Sequence, residues 1–104
     1  MEKTVIEVLT EKQKFVNRVA SAICGQHRIP VEEIHYEVWE HPDGGYEEWL
    51  KVVYTGGAHA IRSVNATSEL GIFEEIGKLA GGGYYAENSY YQELTTSGEL
   101  VKIL

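Results

Sequence analysis

The stretch from Glu33 to Asn65 sets the terms for anything this chain can fold into. It holds three runs rich in β-branched and aromatic residues, Ile34 to His41, Tyr46 to Tyr54 and Ala58 to Val64, parted by Pro42-Asp43-Gly44-Gly45 and Thr55-Gly56-Gly57. Residues of that kind fit a pleated surface, and adjacent glycines supply the positive φ angles that tight hairpin turns demand. The stretch therefore reads as a three-stranded antiparallel meander over about residues 33–65.

On either side of it the apolar spacing is helical. Phe15, Val16, Val19, Ala20 and Ile23 form one stripe of a helix over 11–24, with Thr10 and Gln13 in capping-box form ahead of it and Gly25 as its stop. Thr4 to Leu9 fits either a short strand or the first turns of that helix; the capping signal at Thr10 favours an extended arm over 4–9. After the meander, Thr67 or Ser68 caps a second helix over 68–80, whose stripe is Phe73, Ile76 and Ala80 with Ile72 and Leu79 beside it. Gly71 and Gly77 lie inside this helix, and close packing is the expected compensation for their cost. A third helix is predicted over 84–94, with Tyr84, Tyr91 and Leu94 on one face and Tyr85 and Tyr90 more exposed. Leu100 to Leu104 has the apolar character of a last strand over 99–104. The fold class is α+β, in one small domain over 1–104.

Nine basic residues against sixteen acidic ones give a formal charge of −7. That balance argues against binding nucleic acid directly, because such affinity comes largely from Lys and Arg displacing counterions. It suits a soluble protein or one with a basic partner. The single cysteine, Cys24, cannot close an internal disulfide, and neither a leader nor an apolar run long enough to span a membrane stands in the sequence. A cytoplasmic location is the expectation.

If both hairpins are tight, His41 lies opposite Tyr46 and Thr55 opposite Ala58. One sheet face then carries Ile34, Tyr36, Val38, Trp49, Lys51, Val53, Ala60, Arg62 and Val64. The other carries His35, Glu37, Trp39, Leu50, Val52, Tyr54, His59, Ile61 and Ser63. Both faces are substantially apolar in this register, so each needs a cover: a chain end, a helix or a second copy of the chain. A bulge would change the partition, since a one-residue slip turns every side chain to the opposite face.

The residues that invite chemistry are weak as sites. His35 and His59 fall on the outer strands, about 9 to 10 Å apart, and His41 is roughly 20 Å further along from His35. A zinc ion needs ligand nitrogens at about 2.0 to 2.1 Å, so these do not converge with Glu37 on a metal. Cys24 and His27 are neighbours without a third group to orient a base. Gly81-Gly82-Gly83 follows its helix instead of opening one, which makes it a stop and not a phosphate loop. No catalytic residue, cofactor or metal is assigned, and the chain is expected not to be an enzyme.

The stronger signal is charge. Glu32, Glu33, Glu37, Glu40, Asp43, Glu47 and Glu48 lie in a stretch without Lys or Arg. Such charges protect an exposed strand from pairing with other chains, and they also suit a surface for a basic partner, with Trp39, Trp49 and Tyr46 as anchors. The tyrosine pairs at 84–85 and 90–91 form the second candidate surface. The residues assigned to partner binding are Glu37, Trp39, Glu40, Asp43, Tyr46, Glu47, Glu48, Tyr85 and Tyr90.

The order helix, three strands, helix resembles that of double-stranded-RNA-binding domains. Where such a domain needs basic residues after its third strand, this chain has Glu69, Glu74 and Glu75 against Lys78 alone. With its third helix and acidic surface the layout also resembles some small phage-encoded inhibitors of nucleic-acid enzymes, anti-CRISPR proteins among them. The expected function is a non-catalytic acidic interaction or regulatory module that forms a homodimer. The alternatives are an inhibitor of phage or mobile-element type that imitates nucleic acid, and a small enzyme or ligand-binding protein with its site between the sheet and residues 84–91.

Overall fold

The first helix opens at Thr4 and not at Thr10. In the computed structural model, which describes residues 2–81 and 89–104, α1 spans Val5–Ile23 and the Thr4 side chain accepts a hydrogen bond from the Glu7 amide at 3.1 Å. Residues 5–9 are thus helix and not an extended arm. Thr4 and Glu7 share the capping spacing that Thr10 and Gln13 also show, and Thr10 instead donates its hydroxyl back to the Ile6 carbonyl at 2.7 Å, within the helix.

Four strands follow the predicted order: β1 (Val31–Glu40), β2 (Tyr46–Tyr54), β3 (His59–Ser63) and the short β4 (Val101–Lys102). They form one antiparallel sheet in the order β3-β2-β1-β4. Between β3 and β4 lie α2 (Glu69–Ala80), capped by the Ser68 side chain on the Gly71 amide, and α3 (Ser89–Thr96). The third helix was expected over 84–94; its part at 84–88 lies outside the described residues.

Both hairpins carry a three-residue loop. The His41 amide bonds the Gly45 carbonyl at 2.7 Å and the Gly44 amide the His41 carbonyl at 2.9 Å, enclosing Pro42, Asp43 and Gly44. Likewise the Tyr54 amide bonds the Ala58 carbonyl at 2.7 Å and the Gly57 amide the Tyr54 carbonyl at 3.0 Å, enclosing Thr55, Gly56 and Gly57. Gly44 and Gly57, the last loop residues, have φ of 95° and 97°, a left-handed conformation that closes three-residue hairpins and favours glycine.

These loops shift each ladder by one residue from the tight-turn register. Glu40 now pairs with Tyr46 and Val53 with His59. Relative to its neighbours, β2 is turned over. Leu50, Val52 and Tyr54 join Ile34, Tyr36, Val38, Ala60 and Val64 on one strongly apolar face, while Trp49, Lys51 and Val53 join His35, Glu37, Trp39, His59, Ile61 and Ser63 on the other. The inference of two apolar faces is thereby corrected. A second register shift between Val31 and Glu33 makes Glu32 a bulge, so Val31 and Ile34, three residues apart, are both buried in the core.

The apolar face is covered by Leu9, Val16 and Val19 of α1 and by Ile72, Ile76 and Leu79 of α2, all buried. The Tyr54 hydroxyl donates to the Leu79 carbonyl at 2.6 Å, fixing the end of α2 to β2. Phe73, expected in the buried stripe, is half exposed: Ile72, Ile76 and Leu79 take the sheet side, and Phe73 falls on the flank with Leu70. Of the helix glycines, Gly71 has a packing reason, since a Cβ there would lie 2.9 Å from that of Ala66. Gly77 has none among the described residues, where nothing lies within 4 Å.

The outer face is covered in part by α3, whose Tyr90 and Tyr91 rings lie against Trp49. α2 and α3 thus pack on opposite faces of the sheet. β4 flanks β1 at Trp39 and Glu40, as the apolar C-terminal run implied. None of the described helices is long and apolar enough to cross a membrane.

Candidate partner-binding surface

The register that turns β2 over also splits the acidic stretch between two faces. On the helix side, Glu48 lies where α1 passes over the sheet. Its Oε1 accepts the Tyr36 hydroxyl at 2.5 Å and the Lys12 ammonium at 2.9 Å, and Lys12 also donates to the Ala66 carbonyl at 3.2 Å. Burial, and then the Glu48 carboxylate, push the Tyr36 hydroxyl far above its ordinary range. The group is a clamp between α1, the sheet and the loop before α2.

On the outer face, Glu37 makes the matching arrangement. Its Oε1 accepts the Tyr91 hydroxyl at 2.5 Å and the Trp39 indole N–H at 3.1 Å, and Oε2 lies 3.5 Å from Lys102 Nζ. Glu37 is the one charged residue among the described positions that is buried, at 8 % exposure. Burial raises its affinity for a proton, but the Tyr91 hydroxyl, the Trp39 indole and Lys102 together outweigh it and hold the carboxyl below its ordinary range. Burial and Glu37 push the Tyr91 hydroxyl well up.

Three rings frame this carboxylate. Tyr91 stands edge-on to Trp49 and Trp39, with centroids 5.3 and 6.4 Å away and interplanar angles of 71° and 89°. Tyr90 meets Trp49 at 6.1 Å. Edge-to-face pairs at these spacings hold rings firmly. Trp49 is 2 % exposed, and its indole nitrogen has no hydrogen-bond partner among the described residues. It serves as a wall of the cluster, while Trp39 keeps part of its surface in solvent and Tyr90 is 54 % exposed.

The other acids divide by partner. Glu47 lies 3.1 Å from His41 Nε2, and Glu33 lies 3.2 Å from His35 Nε2. Glu32, Glu40 and Asp43 have no ion-pair partner among the described residues; Asp43 Oδ1 instead accepts the Gly45 amide at 2.9 Å and shapes the first loop. Of the residues assigned to partner binding, Glu37 and Glu48 are therefore committed to internal hydrogen bonds. Trp39, Glu40, Asp43, Tyr46 and Glu47 gather at the hairpin end of the sheet, and Tyr90 stands over Trp49. Tyr85 lies outside the described residues. Sequence spacing placed Tyr91 on a packing face but joined neither it nor Lys12 or Lys102 to these carboxylates, because each reaches its partner from a distant segment.

Cys24 is partly exposed, and burial followed by the nearby Glu33 carboxylate raises its thiol, the opposite of an activated nucleophile. Among the described residues no three His, Cys, Asp or Glu side chains are grouped to hold a metal ion. A concavity of about 440 Å³ is lined by Gly25 to Glu32 with Thr55 and gathers no catalytic constellation.

No family model matches the chain, and no curated protein and no solved structure is similar to it at a meaningful level.

Proposed function

We propose that the chain is a non-catalytic protein-interaction module whose first hairpin receives a basic partner. What supports this reading is the hairpin end of the sheet. There Glu40 and Asp43 stand free of cations among the described residues, beside part-exposed Trp39 and Tyr46. Carboxylates in this setting attract and orient a cationic chain, and aromatic rings backed by a rigid sheet give it apolar area to bury. A lysine or arginine of the partner also has ring faces available to it. The core of the module is the internal Glu37, Tyr91 and Lys102 group, which fixes Trp39 in place.

The test is a titration of the protein with a short Lys- and Arg-rich peptide, followed by tryptophan fluorescence at low and high salt. Binding that weakens as salt rises, and weakens again in the double variant Glu40→Gln, Asp43→Asn, supports the reading. Affinity indifferent to both salt and the double variant removes it.

A further inference from the structure

The helices on the two faces of the sheet are held very differently. On the inner face α2 sinks Ile72, Ile76 and Leu79 into the core, each 1 % exposed, and Tyr54 ties its end to β2. On the outer face α3 sinks nothing: every residue from Tyr90 to Thr96 keeps part of its surface in solvent. A helix of eight residues is not stable in water by its own hydrogen bonds, so tertiary contact must hold it in place. Two side chains make its described contact with the sheet. The Tyr91 hydroxyl donates to Glu37, and the Tyr90 and Tyr91 rings lie against Trp49, with Tyr91 also edge-on to Trp39.

Beneath those rings the Trp49 indole nitrogen is buried without a hydrogen-bond partner among the described residues. A buried donor without an acceptor is destabilising, and exposing it to water removes that penalty, which offsets part of the cost of lifting α3. Past the last turn of α3 the chain has a pivot. Ser97, Gly98 and Glu99 are exposed, Gly98 has a φ of 81°, and the next residue, Leu100, is buried. From there β4 pairs with β1, and the Leu104 carbonyl accepts the Val38 amide at 3.3 Å. The chain is thus anchored in the core after Gly98 and carries no fully buried residue in α3 before it. Exposed residues at the end of an element are where hinges absorb changes in backbone angle.

We propose that α3 is a hinged cover, which swings off the outer face about Gly98 while β4, the other strands and the two inner helices stay folded, and so bares Trp49 and the Glu37 carboxylate. Lids of this kind are drawn from the least stable part of a fold. The motion also bears on the hairpin surface, a consequence that rests on the function proposed above. Tyr91 and the Trp39 indole share Oε1 of Glu37, so the open form holds Trp39 with one neighbour fewer, and the closed form is the one that receives the partner.

The Trp49 indole N–H is the reporter, since burial and not a described hydrogen bond shields it. Its exchange with deuterium is followed by NMR in the full chain, alongside the amides of Leu50 and Val52 in the middle of the sheet. Relative to the rate of each group in an unfolded chain, the indole is expected to exchange faster than those amides and to respond less to low urea. Ile76→Val, on the opposite face, is expected to quicken the two amides roughly two- to tenfold and to leave the indole unmoved. Tyr91→Phe is expected to quicken the indole about tenfold. An indole that exchanges in step with Leu50 and Val52 overturns the inference, as does one that Ile76→Val quickens equally or that Tyr91→Phe leaves unchanged. An indole that exchanges at its unfolded rate overturns it too, because nothing then covers Trp49. The comparison within the unmodified chain requires neither variant to fold and no partner, so its failure is distinct from a failure of the peptide titration.

Discussion

Replacing Tyr91 by phenylalanine keeps the ring and removes one oxygen, and so isolates the bond that ties α3 to the sheet. Tyr91 donates at 2.5 Å to Glu37, a carboxylate only 8 % exposed that also holds the Trp39 indole at 3.1 Å and Lys102 at 3.5 Å. Hydrogen bonds to charged groups contribute about 1.5 to 3 kcal/mol net. Because Glu37 keeps two other partners and Tyr91 is partly in solvent, Tyr91→Phe is expected at the low end, about 1.5 kcal/mol. For a domain near 100 residues that corresponds to a fall in Tm of roughly 6 to 12 °C. Urea unfolding followed by tryptophan fluorescence reads it directly, since Trp49 and Trp39 flank the site. The pH dependence carries a sign. Glu37 is held below its unfolded value of about 4.3, so its contribution is fully present above that value and is lost as pH falls through the lower folded one. The gap between the unmodified chain and Tyr91→Phe is therefore widest at neutral pH and narrows below about pH 4. A variant within about 0.3 kcal/mol of the unmodified chain at pH 7, or a gap that does not change with pH, would refute the role given to this bond.

Lys12→Met removes the cation of the other clamp while keeping most of its length. With side chains 13 % and 23 % exposed, the Lys12 and Glu48 pair is only partly buried, and a loss of about 1 to 2 kcal/mol in urea unfolding is expected. Two glycines should respond with opposite signs in thermal unfolding. Gly77→Ala has open space in a helix and is expected to stabilise by about 0.5 to 1 kcal/mol, whereas Gly44→Ala forces a side chain onto a φ of 95° and is expected to cost about 1 kcal/mol or more. On α2, Ile76→Ala is expected to lose about 2 to 5 kcal/mol and Phe73→Ser less than about 0.5. A comparable loss from both would return Phe73 to the core.

The elements were legible because their signals are local. The meander, the stop at Gly25 and the Ser68 cap each depend on residues within a few positions of one another. The start of α1 was not, since Thr4 and Thr10 offer the same capping pattern and only the apolar contact of Leu9 with the core decides between them. Phe73 and Ile72 are neighbours on one wheel, and which of them faces the sheet is set by where α2 lands. The acidic surface was the least legible part. Glu48 and Glu37 read as free charges in a stretch without Lys or Arg, yet Lys12 and Lys102 reach them from 36 and 65 positions away. Long-range pairing of that kind leaves no periodic trace in a sequence.

The matched three-residue loops have a consequence for how this chain can vary. Side chains alternate along a strand, so the faces of β2 depend on which residues stand opposite one another across each ladder. The pairing of His41 with Gly45 and of Tyr54 with Ala58 puts Leu50, Val52 and Tyr54 inside. A residue added within either loop leaves those pairs opposite one another and lengthens the turn alone, whereas a residue inserted within β2 turns over every side chain beyond it and exposes part of the core face. Length variation should therefore be confined to the turns, much as a coding message tolerates additions between its genes and not within one.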